Sequence, residues 1–258
     1  MSSTYIYGIA SAGHPSLPDG AGGIGEPPRT VRLVKEGGLT AVVSDAPDDL
    51  RPKRRDLLAH QNILAEAGTG GAVLPMRFGS LAPDDDAVAM VLAERAGHYH
   101  ERLRALDGKV EYNVKAQHNE EAVLHRVMAE NAEIRTVTEA NRRAGGGSHE
   151  EKLRLGELVV AAVQAREAQD AVTLRQLLEP AADAVSNGPQ SAGWLANVSF
   201  LVDRKAAEHF LTAVETARSE HAHVELKVNG PLPPYSFVEP GPSEPVGTEV
   251  NGPADIRP

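Results

Sequence analysis

The sequence predicts an α+β protein built as two lobes, and three observations carry that reading. Sheet-like patterns occur twice, in residues 4–78 and again in residues 109–229. Each set has its own apolar helical stripe to cover it. Two long, heavily charged helical stretches, 119–143 and 148–186, interrupt the second set. The expected division is an N-terminal α+β domain over 1–82, a connecting helix over 83–107, a C-terminal domain with a long helical pair over 108–238, and a flexible tail over 239–258.

Residues 4–10, TYIYGIA, alternate loosely and read as a strand. Residues 11–28 are rich in Gly and Pro and read as a long, flexible loop. Residues 30–35 and 39–44 are two short strands, with Gly37 and Gly38 as a hairpin turn between them. Pro52 suits the first turn of a helix, in which Leu57, Leu58, Ile63 and Leu64 supply a broad apolar stripe. Gly68, Gly70 and Gly71 end that helix. Ala72, Val73, Leu74, Met76 and Phe78 then read as a short buried strand. This stretch has two oddities. Arg51, Lys53, Arg54 and Arg55 crowd a helix N-terminus, where the macrodipole already places positive charge. Arg77 interrupts an apolar strand, where a buried guanidinium requires a partner.

Pro83, Asp84, Asp85 and Asp86 open the next helix with acids where the dipole favours them, and Val88, Val91, Leu92, Tyr99, Leu103 and Leu106 give it a stripe. In residues 109–117, Val110, Tyr112, Val114 and Ala116 face one way and Glu111, Asn113 and Lys115 the other. The two long helices follow, with Ser148 and Glu151 placed as a capping box. Residues 194–203 and 222–229 are one-sided strands, separated by a helix over 205–220. Strand, two helices, strand, helix, strand is ferredoxin-like in outline. Pro231, Pro233 and Pro234 predict that the chain leaves the sheet after Val228, with Tyr235 and Phe237 pointing one way as an arm that covers an apolar edge or meets a partner.

Composition bounds function. The chain has 258 residues, 41% hydrophobic and 24% charged, which is ordinary for a soluble globular protein. Its net charge of −10 disfavours non-specific binding to nucleic acid or acidic membranes. Cysteine is absent, so disulfides and thiolate metal sites are excluded. No apolar run is long enough to span a bilayer, and MSSTYIYGIASAG does not read as a secretory signal.

No catalytic set emerges. Gly20, Gly22 and Gly25 satisfy G-x-G-x-x-G, but ten residues separate them from the preceding strand and Pro27-Pro28 stand where a helix should begin. His98 and His100 fall on nearly opposite sides of a helix. His221, His223 and Glu225 alternate along a strand and share a face, as a zinc site requires, yet lack a fourth ligand; no metal and no cofactor are expected. His60 reads as a hydrogen-bonded packing histidine. An enzyme using His60 and Arg77 in one pocket is the alternative from another class.

Three motifs taken together resemble the gas vesicle protein F/L family. They are the opening strand TYIYGIA, the basic run and helix RPKRRDLLAHQ with the strand LPMRFG, and the closing GPLPPYSFV, which together span residues 4–238. The resemblance implies a non-enzymatic minor component and assembly factor of gas vesicles, the hollow protein shells that give some bacteria and archaea buoyancy. It implies a cytoplasmic, vesicle-associated protein whose partners are the hydrophobic major shell protein and other accessory proteins. An F member, an L member, a holder, a nucleator and a shell constituent all remain open. The expected partner-binding residues are Arg51, Lys53, Arg54, Arg55, Arg77, Phe78, Pro233, Pro234, Tyr235 and Phe237.

Overall fold

Tyr5, Tyr7 and their neighbours form β1 (Thr4–Ser11), the strand on which the N-terminal lobe is assembled. The computed structural model describes residues 3–14, 17, 20–189 and 193–239. Around β1 stand β2 (Arg32–Glu36), β3 (Leu39–Asp45), α1 (Arg54–Ala67), β4 (Val73–Pro75) and the short β5 (Leu81–Ala82). The strands are antiparallel in the order β2-β3-β1-β4, with β5 also paired to β1. Gly37 and Gly38, at φ +59° and +76°, form the expected two-residue turn between β2 and β3.

A bulge in β1 decides what the sheet buries on each side. The pairing with β3 shifts between Ile6 and Gly8. Strict alternation would put Tyr5, Tyr7 and Ile9 on one face. The extra residue instead sends Tyr5, Tyr7 and Ala10 toward α1 and Ile9 to the opposite side. Gly8 then faces α1 so closely that a Cβ there would lie 2.8 Å from a Leu64 methyl.

The opposite face of this sheet meets α2 (Asp85–Glu94) and α3 (Ala96–Leu106), two helices where the sequence predicts one. Their buried Val88, Leu92, Tyr99, Leu103 and Leu106 pack on Ile9, Leu39, Ala41, Val43 and Leu74, and also on Leu201 and Phe237 of the other lobe. These helices are therefore a middle layer between two sheets. Thr4 and Arg32 fix the start of α2 through Asp85, at 2.7–2.8 Å.

The second sheet begins with β6 (Lys109–His118). There follow α4 (Glu120–Glu130), α5 (Ala132–Arg143), α6 (His149–Leu178), β7 (Ala184–Asn187), β8 (Ala196–Asp203), α7 (Ala207–Glu220) and β9 (Val224–Leu232). The antiparallel order β7-β8-β6-β9 is the ferredoxin-like arrangement. β7, expected as the end of a helix reaching 186, supplies the fourth strand; Pro180 ends the helical run just after Leu178. The helix expected over 119–143 breaks at Asn131, whose side chain leaves the helix pattern to cap Glu133 and Ile134. The capping box at Ser148 and Glu151 forms. α4, α5 and α6 share a small core of Val123, Val127 and Ile134 against Leu155, Leu158 and Val159.

β9 runs further than its prolines suggest. It stays paired to β6 as far as Leu232 opposite Glu111, with a register shift that accommodates Gly230 and Pro231. The N-terminal lobe repeats the same strand order, and among the described residues no helix lies between β1 and β2, the connection at which the C-terminal lobe carries α4–α6. Of the tail expected over 239–258, all but Glu239 lies outside the described residues. Among the described residues, no helix is long and apolar enough to cross a membrane.

Candidate functional site

α1 orients itself by Asp56, His60, Ile63, Leu64 and Ala67, which are buried at helical spacing. Leu57 and Leu58 fall outside that arc. They were expected in the core stripe, but are 37% and 48% exposed. Lys53 is the N-cap and offers no side-chain cap. Lys53 pairs with Asp49 at 2.6 Å, and Arg55 pairs with Glu26 and, at 3.3 Å, with Asp56. Arg51 and Arg54 are exposed; among the described residues Arg54 has no side-chain partner, and Arg51 makes no side-chain hydrogen bond or ion pair but helps Lys53 through its charge to hold the Asp49 carboxyl low. The outer side of α1 is thus apolar and cationic at once. Arg54, Leu58 and Asn62 form one wall of a shallow depression of about 520 Å³, and Gly22, Gly25 and Pro28 form the other.

The glycine-rich loop shapes that depression and is not free. Ile24 is fully buried, and its N–H donates to the Tyr7 hydroxyl at 2.9 Å. Gly25 N–H donates to the buried Asp56 carboxylate at 3.0 Å. A Cβ at Gly23 would sit 2.1 Å from the Tyr7 oxygen, so only glycine admits this approach. These amides serve the fold, and the G-x-G-x-x-G spacing is no phosphate cradle.

Arg77 corrects the sequence reading. β4 ends at Pro75, and Arg77 lies exposed in a turn closed by Ser80, whose N–H and hydroxyl donate to the Arg77 carbonyl at 3.1 and 2.8 Å. Phe78 alone turns back inward, its ring 5.8 Å from Tyr5 and 5.9 Å from His60. The guanidinium forms no ion pair among the described residues, so the buried pairing expected for it is absent. His60 is 3% exposed and uses both ring nitrogens: Nε2–H donates to the Met76 carbonyl at 3.1 Å, and Nδ1 accepts from the Tyr5 hydroxyl at 2.8 Å. With His60 buried and both its nitrogens engaged, and Arg77 exposed in the turn, the two side chains are not presented together as the enzymatic alternative requires.

The closing arm is a covering arm. Pro234 and Phe237 are buried, while Pro233 and Tyr235 are half-buried. A 3-10 turn over Tyr235–Phe237 parts the two aromatic rings, which were expected to point one way. Tyr235 joins the aromatic cluster under α1, and Phe237 enters the layer between the sheets. Glu111 accepts from Ser236 N–H and hydroxyl, each at 2.8 Å, and Arg102 donates to the Phe237 and Val238 carbonyls at 2.6 and 3.1 Å.

The histidine row is also rearranged. β9 starts at Val224, so His221 and His223 precede it. His223 turns inward while Glu225 accepts outside from Gln117 and Asn119. What the sequence hid is a buried set from three distant segments. His118 and His223 both donate from Nε2 to Asp170 Oδ2, at 2.9 and 2.7 Å, and Arg166 reaches both Asp170 oxygens at 3.0 Å. The three groups are close enough to share a metal ion. Their surroundings do not suit one. Arg126 points its guanidinium at His223 Nδ1, 3.1 Å away, where a ligating histidine needs an acceptor. Arg166 already supplies the positive charge.

These buried histidines give a pH prediction. Burial pushes His60 and His223 below their ordinary value, against the upward pull of Met76 and Asp170 respectively. Burial raises the Asp170 carboxyl, but hydrogen bonds from Arg166, His118 and His223 outweigh it and hold it low. A histidine with a depressed folded value stays neutral while the unfolded chain takes up protons below about pH 6.5. Stability is therefore full above about pH 6.5 and falls as pH drops below it; Asp170 adds its loss at still lower pH, below about 3.9. Thermal melts from pH 8 to 5 should show the decline, and His223→Gln should make it shallower. Equal slopes in both proteins would place the sensitivity elsewhere.

Comparison with known proteins follows from this geometry. The model of the family described as gas vesicle synthesis protein GvpL/GvpF matches residues 3–239. The chain is 65% identical to gas vesicle protein F of Streptomyces sp. (strain CB03234), over 92% of this chain and all of that protein. It is 29% identical to gas vesicle protein L of the same strain, over 90% of this chain and 91% of that one. Its fold is similar to the crystal structure of GvpF from Anabaena sp. PCC7120, with a TM-score of 0.73 at 23% identity, covering 93% of this chain and 99% of the other.

Proposed function

Because the chain belongs to the gas vesicle synthesis protein GvpL/GvpF family, and is thus a non-enzymatic gas vesicle assembly protein, we propose that it holds the hydrophobic major shell protein through the outer face of α1. The observation that carries this reading is the exposure of Leu57 and Leu58 beside two cations, Arg54, which has no partner of its own among the described residues, and Arg51, which makes no side-chain hydrogen bond or ion pair there and acts on Asp49 through its charge. A shell subunit that is apolar on one face aggregates unless that face is covered before assembly. An amphipathic segment laid on α1 would bury the two leucines and place its acids by the two arginines. Arg77 adds a cation in the turn whose Phe78 packs on His60 of α1. Pro233 and Tyr235 are the members of the closing arm left accessible to a partner. The 65% identity to an F protein, against 29% to an L protein, supports an F-type role, and a cytoplasmic, vesicle-associated location goes with it.

A pull-down with the major shell protein tests the site. Arg54→Ala combined with Leu58→Ser should lower retention about tenfold or more, since it removes a charge and an apolar contact together. Its melting temperature should hold or rise, because Arg54 opposes the helix dipole. Normal retention would reduce this face to a solvated helix surface.

A further inference from the structure

A second concavity lies between the lobes, at the opposite end of α1. Leu64, Val73, Leu106, Val110, Leu232 and Pro233 give it aliphatic walls from both lobes, and it encloses about 360 Å³. That falls at the lower end of the ~300–1,000 Å³ typical of small-molecule pockets, which favour such boundaries between lobes. In a chain of net charge −10, no acid lines it. Its charged groups are Lys109, which pairs with Asp183 at 3.1 Å, and Arg204, exposed and without a side-chain partner among the described residues. Tyr112 also lines it. This residue is 4% exposed, and its hydroxyl has no hydrogen-bond partner among the described residues. The ring is buried but the hydroxyl opens on the cleft, where water reaches it and a bound molecule can accept from it in water's place.

We propose that this cleft binds an apolar monocarboxylate. The aliphatic body lies between the Leu64 and Pro233 walls. The carboxylate is drawn to Arg204 and Lys109, and the Tyr112 hydroxyl donates to the bound molecule. A fatty acid and the C-terminus of an apolar polypeptide share this chemistry. The proposal does not rest on the α1 face, from which the cleft is separate.

Calorimetric titration of the full chain separates the sources. The probes are decanoate, decanol, and acetyl-Leu-Leu-Val with its C-terminus either free or amidated. Decanoate or the free-acid peptide should bind, whichever is tighter naming the source, and the alcohol and amide should bind at least tenfold more weakly. Arg204→Gln, an exposed position, should weaken the carboxylate about tenfold. Tyr112→Phe, which keeps the packed ring, should weaken it several-fold. Equal binding of alcohol and carboxylate, an unchanged Arg204→Gln, or no heat from either carboxylate at millimolar concentration would each overturn the assignment.

Discussion

Phe237→Ala is expected to lower the melting temperature by about 10 °C. The ring is 7% exposed and sits in the layer where α2 and α3 separate the two sheets, among Leu103, Leu106 and Leu201. Truncating a buried phenylalanine costs about 3–5 kcal/mol through lost transfer energy and the cavity left behind. In a protein of this size each kcal/mol moves the transition by roughly 2–4 °C. Phe237 is also the place where one short segment ties both lobes. Arg102 of α3 holds its carbonyl from one side, and Glu111 of β6 holds the preceding Ser236 from the other. The loss should therefore loosen the junction as well as the core. Limited proteolysis should cut near residues 233–239 faster in the variant than in the parent. A variant that melts within about 2 °C of the parent would mean that the arm is only laid on the surface.

That result bears on how the sequence could be read. Tyr235 and Phe237 stand two apart, and in an extended chain they share a face. Only a 3-10 turn parts them, and Pro233-Pro234 gives no local cue that one follows. Arg77 failed for a related reason. The run from Ala72 to Phe78 looks like a continuous strand, yet the strand ends at Pro75, a last hydrogen bond to β1 runs from Met76 N–H to the Tyr7 carbonyl, and the chain then turns at Arg77. Leu57 and Leu58 show the limit of counting apolar residues: the buried arc of α1 is set by the polar Asp56 and His60 as much as by Ile63 and Leu64. Local patterns did place β1, β2, β3, α1, β6, α7 and the glycine turn between β2 and β3, because each is specified within its own few residues. β7 was lost inside a helical run with good propensity until Pro180. The basic run at α1 was legible as a charge anomaly, but which of its members keep a free charge depends on Glu26 and Asp49. The first of these lies 29 residues from its partner Arg55.

The histidine–aspartate set was the least legible feature, and its disruption is the second large effect. Asp170→Ala should lower the melting temperature by about 10 °C or more. Asp170 is 2% exposed and accepts from His118, His223 and Arg166, which come from the end of β6, the approach to β9 and α6 itself. Arg166 continues the network to Glu130 at 3.0 Å, and Arg126 bridges Glu130 at 2.9 Å to His223 Nδ1. The carboxylate is the acceptor on which these buried donors converge. Deleting it leaves a nearly buried guanidinium and two imidazole N–H groups with no equivalent acceptor, a loss of about 3–5 kcal/mol for one side of a buried pair. Asp170→Asn keeps the shape and one acceptor oxygen but removes the charge, and should fall between the parent and Asp170→Ala. The damage should concentrate where α4 and α6 meet the sheet. Hydrogen exchange should accelerate in α4 and in residues 162–174 while β1 and β3 keep their protection, because no described residue of the N-terminal lobe enters this network. Uniform acceleration across both lobes would mean that the chain unfolds as one cooperative unit and that the set is not a local anchor. A melting temperature within about 2 °C of the parent would show that water can replace the carboxylate.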